Sequence, residues 1–308
     1  MTPAGPDLSV KVGPLSLKNP VITASGTFGY GDEYSSVMDV NALGGIVVKG
    51  ISLKPRQGNP PPRIVETPCG MLNAIGLANI GLDRFVEEKL PWLKRLSTAV
   101  IVNIYGHSME EYEALARGLS GVEGIAALEV NISCPNVECG GMAFGVDPAA
   151  SARVTERVRA NTDKPVIVKL SPNVTDIRAV ALAVEGAGAH AVSLINTLAG
   201  MSVDVDARRP RLGNVVGGLS GPAIRPVAVY MVYRVAECVS VPVIGMGGIG
   251  TARDALEFIM AGACAVQVGT AGFANPGAAL DVVEGLAGYC AERGVGRIAE
   301  LTGCIKTG

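Results

Sequence analysis

The chain has 308 residues, 48% of them hydrophobic and only 18% charged. Its net charge is −2 with no basic block, so it has apolar side chain for a large core and lacks the electrostatic footprint of a nucleic-acid binder. Its apolar runs last about 4–8 residues, well short of the roughly 20 needed to cross a bilayer, and Met1 to Asp7 is polar and proline-bearing, unlike a secretory signal. Seven cysteines, an odd number with no CxxC, fit reduced thiols in a cytoplasmic protein and argue against an iron–sulfur cluster or structural zinc held by this chain alone.

In chain order, LSVKV-GP-LSLKN reads as a β-hairpin. Then come eight short apolar runs, each ending in a polar residue or glycine: PVITASG (20–26), GGIVVKG (44–50), AVIVNIYG (99–106), ALEVNISCP (127–135), PVIVKLSP (165–172), AVSLINT (191–197), VPVIGMGG (241–248) and AVQVGT (265–270). Runs that are continuously apolar rather than alternating suit strands buried on both faces of a parallel sheet. Helical patterns fall between most of them. They cover 83–96, a segment opened by Asp147-Pro148 as N-cap and first helical residue, 175–185, 220–239, a helix opened by Thr251 and Asp254 at capping-box spacing, and 278–293. Eight strand–helix alternations predict an α/β fold, a (β/α)8 TIM barrel over one domain, 1–308, with the hairpin plugging the barrel bottom. Two long connections stand out. Residues 52–81 are rich in proline and glycine, and residues 198–218 carry Arg208, Arg209 and Arg211. Connections of that length in a compact domain are usually functional or disordered.

Asparagine and lysine are depleted in strands, yet Lys49, Asn103, Asn131, Lys169 and Asn196 each close a buried run. A single polar strand end meeting solvent is unremarkable. Five at matching positions point to a site, because barrel chemistry sits at the C-terminal face. Asparagine matches the alternating C=O and N–H edge of a ring amide, and lysine suits a carboxylate or an electron-rich ring. After the last two strands, Gly247, Gly248, Gly269 and Thr270 stand where backbone amides and a following helix N-terminus favour a phosphate. Gly245, Gly247 and Gly250 also match GxGxxG. The acidic residue that a dinucleotide site needs about 20 residues on is missing, since Gly269 and Thr270 hold that place. The glycines therefore read as the cradle of a mononucleotide phosphate.

Cys134 stands in NISCPN on the loop after the fourth barrel strand, beside Asn131 and Asn136, where a thiolate could be a nucleophile or a proton-abstracting base. Cys238, Cys264 and Cys290 read as packing residues, and Cys139 as incidental. The two histidines, His107 and His190, fall at opposite ends of the barrel, which disfavours a Cys–His pair, and no acidic or histidine cluster has metal-ligand spacing.

Taken in order, the words ASGTFGYGDEY (24–34), VVKG (47–50), NAIGLAN (73–79), NISCPN (131–136), KLSPN (169–173), NT (196–197), GGLSGPAI (217–224), GMGGI (245–249) and GTAGFANP (269–276) resemble the family 1 dihydroorotate dehydrogenases, most of all the class 1B catalytic subunits. Gly272, where related sequences often have asparagine, is a small departure. The resemblance implies one FMN per chain, contacted by Ser25, Lys49, Gly50, Asn103, Asn131, Lys169, Ile195, Gly221, Gly247, Gly248, Gly269 and Thr270. It implies dihydroorotate held by Lys49, Asn73, Ala74, Ile75, Gly76, Leu77, Asn131, Asn196 and Thr197, no metal, and Cys134 as the base. Cys134 would take the C5 proton while a hydride leaves C6 for the flavin, with Lys169 stabilising the anionic reduced ring. It further implies a homodimer within a heterotetramer, whose partner subunit carries FAD and a [2Fe–2S] cluster and reduces NAD+. Class 1A relatives work alone with fumarate, and membrane relatives have a serine base. Rival readings are a Schiff-base barrel using Lys169 or Lys49, a flavin-binding scaffold, and a flavin dihydropyrimidine dehydrogenase.

Overall fold

The computed structural model describes residues 5–132 and 141–306. In chain order the strands are β1 (Val10–Val12), β2 (Leu15–Leu17), β3 (Val21–Thr23), β4 (Gly45–Ile51), β5 (Ile64–Thr67), β6 (Gly70–Asn73), β7 (Ala99–Ile104), β8 (Ala127–Asn131), β9 (Val166–Lys169), β10 (Ala191–Leu194), β11 (Leu198–Met201), β12 (Val203–Asp204), β13 (Arg209–Pro210), β14 (Val216–Ser220), β15 (Val243–Met246) and β16 (Ala265–Val268).

Eight of them close a parallel barrel in the order β3, β4, β7, β8, β9, β10, β15, β16. These are the eight apolar runs read from the sequence, in the same order around the wall as along the chain. Strands β8, β9, β10, β15 and β16 are buried at every residue. The barrel interior meets their inner faces and a layer of helices covers the outer faces, which is why neither face carries the polar residues that an alternating strand would show. The hairpin β1–β2 pairs Val10 with Leu17. A methyl group on Gly13 at its turn would meet the carbonyl of His190, which precedes β10, so the hairpin sits at the N-terminal end of the barrel.

The helix starts follow the capping chemistry. Asp147 accepts from the amide of Ala150 before Pro148–Ala160. Thr251 and Asp254 cap one another reciprocally before Ala252–Met260. Helices Ile177–Gly186 and Ala278–Arg293 match their expected places. Two segments differ from expectation. Within Leu82–Leu93, Pro91 supplies no amide to the helical ladder, and Phe85–Lys89 widens into π turns. Ser220 ends β14 rather than opening a helix; after Gly221 the chain makes a 3₁₀ turn, Pro222–Ile224, and enters helix Arg225–Ala236.

The two long connections do not stay irregular. Each folds into strands, and together they form one antiparallel sheet in the order β11, β14, β6, β5. Gly218 of β14 pairs with Asn73 of β6. A polar knot pins the base of the first connection. The Asn79 amide donates to Ser52 Oγ at 2.8 Å and to the Tyr105 hydroxyl at 3.0 Å, and Tyr105 donates to the carbonyl of Leu77 at 3.1 Å. Arg56 adds a second tie, donating to the carbonyl of Gly76 at 2.8 Å.

Candidate active site

The C-terminal ends of the barrel strands and the inner edge of the four-stranded sheet enclose a cavity of about 460 Å³, within the usual range for small-molecule sites. The sheet supplies Ile64, Met71 and Asn73 to its wall. Each of the twelve residues singled out for a cofactor lines this one cavity, though they span 246 positions of chain between Ser25 and Thr270. Of the substrate set, Lys49, Asn73, Ile75, Gly76, Leu77, Asn131, Asn196 and Thr197 also line it. Ala74 does not. Its side chain is fully buried in a small cluster with Leu72 and Leu212, because the β6 strand and its continuation turn alternate residues away from the mouth. Cys134, Asn136 and Cys139 lie outside the described residues.

The strand ends deliver their polar heads as a group. Asn131 faces Lys169 in the register of β8 and β9. Lys169 is 6% exposed, and its ammonium donates to Ser25 Oγ at 3.4 Å. It lies 4.0 Å from a carboxylate oxygen of Glu129, which is completely buried inside the barrel. Lys49 stands half-buried at the end of β4. Burial holds its ammonium below the ordinary lysine value, Arg63 adds to the effect, and Glu33 opposes it. Asn73 donates to the carbonyl of Gly218 at 3.3 Å, tying the two long connections at the cavity edge. Asn173 fixes the segment beyond β10 by donating to the carbonyl of Thr197 at 3.0 Å and accepting from the amide of Ala199.

Two glycine positions require glycine. A methyl group on Gly50 would lie 2.7 Å from Asn103 Oδ1, so its absence lets the β4 end pass over that amide. Gly248 has φ +76°, and a methyl group there would lie 2.7 Å from the carbonyl of Gly221. Gly221, Gly247, Gly248, Gly269 and Thr270 thus form a tight backbone rim, closed by a hydrogen bond from Thr270 Oγ1 to Ser220 Oγ at 2.8 Å. Beside this rim the Asp254 carboxylate accepts from the amides of Gly250 and Thr251.

The remaining candidates are accounted for. His107 is bound to Arg56 at 3.0 Å. His190 accepts from the amide of Val166 at 2.9 Å and is held below the usual histidine value by burial and by Arg159. Burial pushes the Cys264 thiol up to about 12 and also raises Cys238 and Cys290. That fits their reading as unreactive packing residues, although Cys238 and Cys264 keep some exposure. Two residues had escaped the sequence reading: Gln267, which lines the cavity, and Glu129, buried beneath it. Their signal was a charged and an amide side chain in the middle of otherwise apolar runs, ALEVN and AVQVG. Among the described residues, no group of three or more His, Cys, Asp or Glu side chains stands where it would hold a metal ion, and no helix is long and apolar enough to cross a membrane.

This floor suits a flat, polar heterocycle. A buried ammonium, Lys169, stands beside two buried amide oxygens, Asn103 Oδ1 and Gln267 Oε1, for which the described residues supply no hydrogen-bond partner. The glycine rim lies at one side. An isoalloxazine ring with a phosphate tail presents a ring N–H, electron-rich carbonyls and a terminal anion to such a lining.

A sequence model of the dihydroorotate dehydrogenase family matches residues 7–289. The chain is similar to the protein of Trichlorobacter lovleyi named dihydroorotate dehydrogenase B (NAD(+)), catalytic subunit. The two are 58% identical over 98% of this chain and 99% of that one. Proteins of the same name from Desulforamulus reducens and Geobacter sulfurreducens are 60% and 56% identical, the first over 96% of this chain and the second over 98%.

Proposed function

The chain belongs to the dihydroorotate dehydrogenase family, and from that premise we propose that it oxidises (S)-dihydroorotate to orotate in de novo pyrimidine synthesis as an FMN-dependent oxidoreductase. One observation carries the chemical reading. A buried ammonium, unpartnered amide oxygens and a glycine rim converge on one cavity from strand ends far apart in sequence. FMN, when bound, accepts the hydride that leaves the substrate.

The protein's own residues have the following roles in this reading. Ser25, Lys49, Gly50, Asn103, Asn131, Lys169, Ile195 and Gly221 contact the FMN, and Gly247, Gly248, Gly269 and Thr270 cradle its phosphate. Asn73, Asn131, Asn196 and Thr197 grip the ring edge of the substrate and fix which face it turns to the flavin. The segment 73–77, tied down through Gly76 and Leu77, contacts the substrate. Lys49 meets the substrate carboxylate. Cys134, three residues beyond the end of β8, takes the C5 proton. The whole chain acts as one FMN-binding domain in the cytoplasm, as a homodimer. Electrons leave for NAD+ through a separate subunit with FAD and a [2Fe–2S] cluster. The naming of its relatives as NAD(+) catalytic subunits supports that route over fumarate.

The test is an anaerobic visible spectrum of the purified chain before and after dihydroorotate is added. The expected result is a flavin band that bleaches. A band that persists removes the substrate assignment, and folded protein that takes up no FMN removes the cofactor. Subsequent turnover with fumarate alone would overturn the NAD+ route.

Lys49 gives this reading a pH signature. Its ammonium is held below the ordinary lysine value, so it loses its proton at a lower pH than a solvated lysine. Its attraction for the orotate carboxylate is fully present below that lowered value and is lost as pH rises through it. Orotate binding, followed by the flavin spectrum, is therefore expected to weaken on the alkaline side, and Lys49→Met is expected to flatten the profile. A wild-type profile that stays flat into the ordinary lysine range would remove Lys49 from the carboxylate.

A further inference from the structure

Glu129 lies on the inner face of β8 and is completely buried. Three side chains from three other strands point donors at its carboxylate. Asn103 Nδ2 is 2.7 Å from Oε2, Gln267 Nε2 is 2.7 Å from Oε1, and Ser193 Oγ is 2.9 Å from Oε1. The Lys169 ammonium completes the surround at 4.0 Å. An ionised carboxylate only accepts hydrogen bonds, so both amides must turn their NH2 groups toward it. Their oxygens then face elsewhere. Asn103 Oδ1 and Gln267 Oε1 are buried without a partner among the described residues, and both side chains line the cavity. Asn103 Oδ1 lies against Gly50, another cavity residue. An amide left to itself could present either end, and here the buried charge removes the choice.

We propose that Glu129 is a positioning residue of the cofactor site. It locks the Asn103 and Gln267 amides so that their carbonyl oxygens form the cavity floor beside Lys169, selecting a planar ring that brings an N–H to that floor. The inference rests on the reading that the cavity holds a flavin. Glutamine at position 129 keeps the shape but offers one oxygen and one NH2, so it cannot accept from both amides, and one of them turns over or loses its bond.

Two measurements on the full-length chain stripped of flavin test this, with a third on the loaded protein. In the wild type, labelled with ¹⁵N, the side-chain NH2 protons of Asn103 and Gln267 are expected to exchange slowly with solvent. Fast exchange overturns the proposal and needs no variant, so it decides the matter even where Glu129→Gln fails to fold. In folded Glu129→Gln, FMN is expected to bind about tenfold more weakly, the scale of one lost charge-assisted hydrogen bond, and the midpoint potential of the bound flavin is expected to rise as a buried negative charge is removed. Unchanged affinity and unchanged potential together overturn the proposal. A merely structural role would lower the melting temperature without shifting the potential. Failure of the wild type itself to bind FMN overturns the flavin reading, and the proposal with it.

Discussion

Replacing Cys134 by alanine is expected to lower turnover at neutral pH by about 10²–10⁴-fold, the usual share of a positioned general base, while FMN and orotate remain bound. The proton at C5 of dihydroorotate is weakly acidic, so a base has to stand within hydrogen-bond reach. The described lining of the cavity contains lysines, asparagines, a glutamine and hydroxyls, but no histidine, aspartate or glutamate. His107 is engaged by Arg56, and His190 sits at the other end of the barrel. Glu129 is enclosed by its donors below the floor. In the proposed function the base is Cys134, which follows Asn131, the last residue of β8, by three residues. Stopped-flow reduction by dihydroorotate separates the effects. The alanine variant should bind orotate with the usual spectral change and reduce slowly. A serine variant should recover with rising pH, because a hydroxyl needs more alkaline conditions to give up its proton. Reduction by the alanine variant at the wild-type rate would sink the assignment.

Burial decided what could be read from the sequence. The eight barrel strands were legible because a strand enclosed on both faces keeps a continuous apolar run, and the polar heads of β4, β7, β8 and β9 stood out against it. Asn196, just past β10, did the same. The sheet across the mouth was not legible. Strand β14 reads VGGLS and β6 reads GMLN, too short and too glycine-rich for a period, and Gly218 and Asn73 lie 145 residues apart. Their pairing is made by the barrel that brings the two connections together, and nothing local encodes it. Ser220 was drawn into the helix pattern for the same reason. Glu129 and Gln267 had a visible signal that a reading confined to strand ends passed over. A charge in the middle of a buried run costs so much that it is kept only where partners surround it, and here the partners come from β7, β9, β10 and β16.

Lys169→Ala is expected to slow flavin reduction by about 10²–10³-fold, the scale for removing one preorganised group from developing charge, and to weaken FMN retention. Among the described residues the ammonium meets Ser25 and Glu129, and Lys169 lines the cavity. In the wild type it opposes the buried carboxylate and gives the floor a positive charge where the ring gathers negative charge on reduction. Alanine removes that stabilisation and also leaves Glu129 uncompensated beneath the ring. Breaking a buried pair by deleting one partner typically costs more than the pair contributed. The two losses can be separated. In Lys169→Ala/Glu129→Gln the repulsive charge is gone, so FMN should bind more tightly than in Lys169→Ala alone, although each single change weakens binding. Titrating FMN into the wild type, both single variants and the double variant reads this coupling directly. A double variant whose loss equals the sum of the single losses would show that Lys169 and Glu129 act on the flavin independently. A Lys169→Ala protein that keeps FMN and is reduced at the wild-type rate would remove Lys169 from the flavin site altogether.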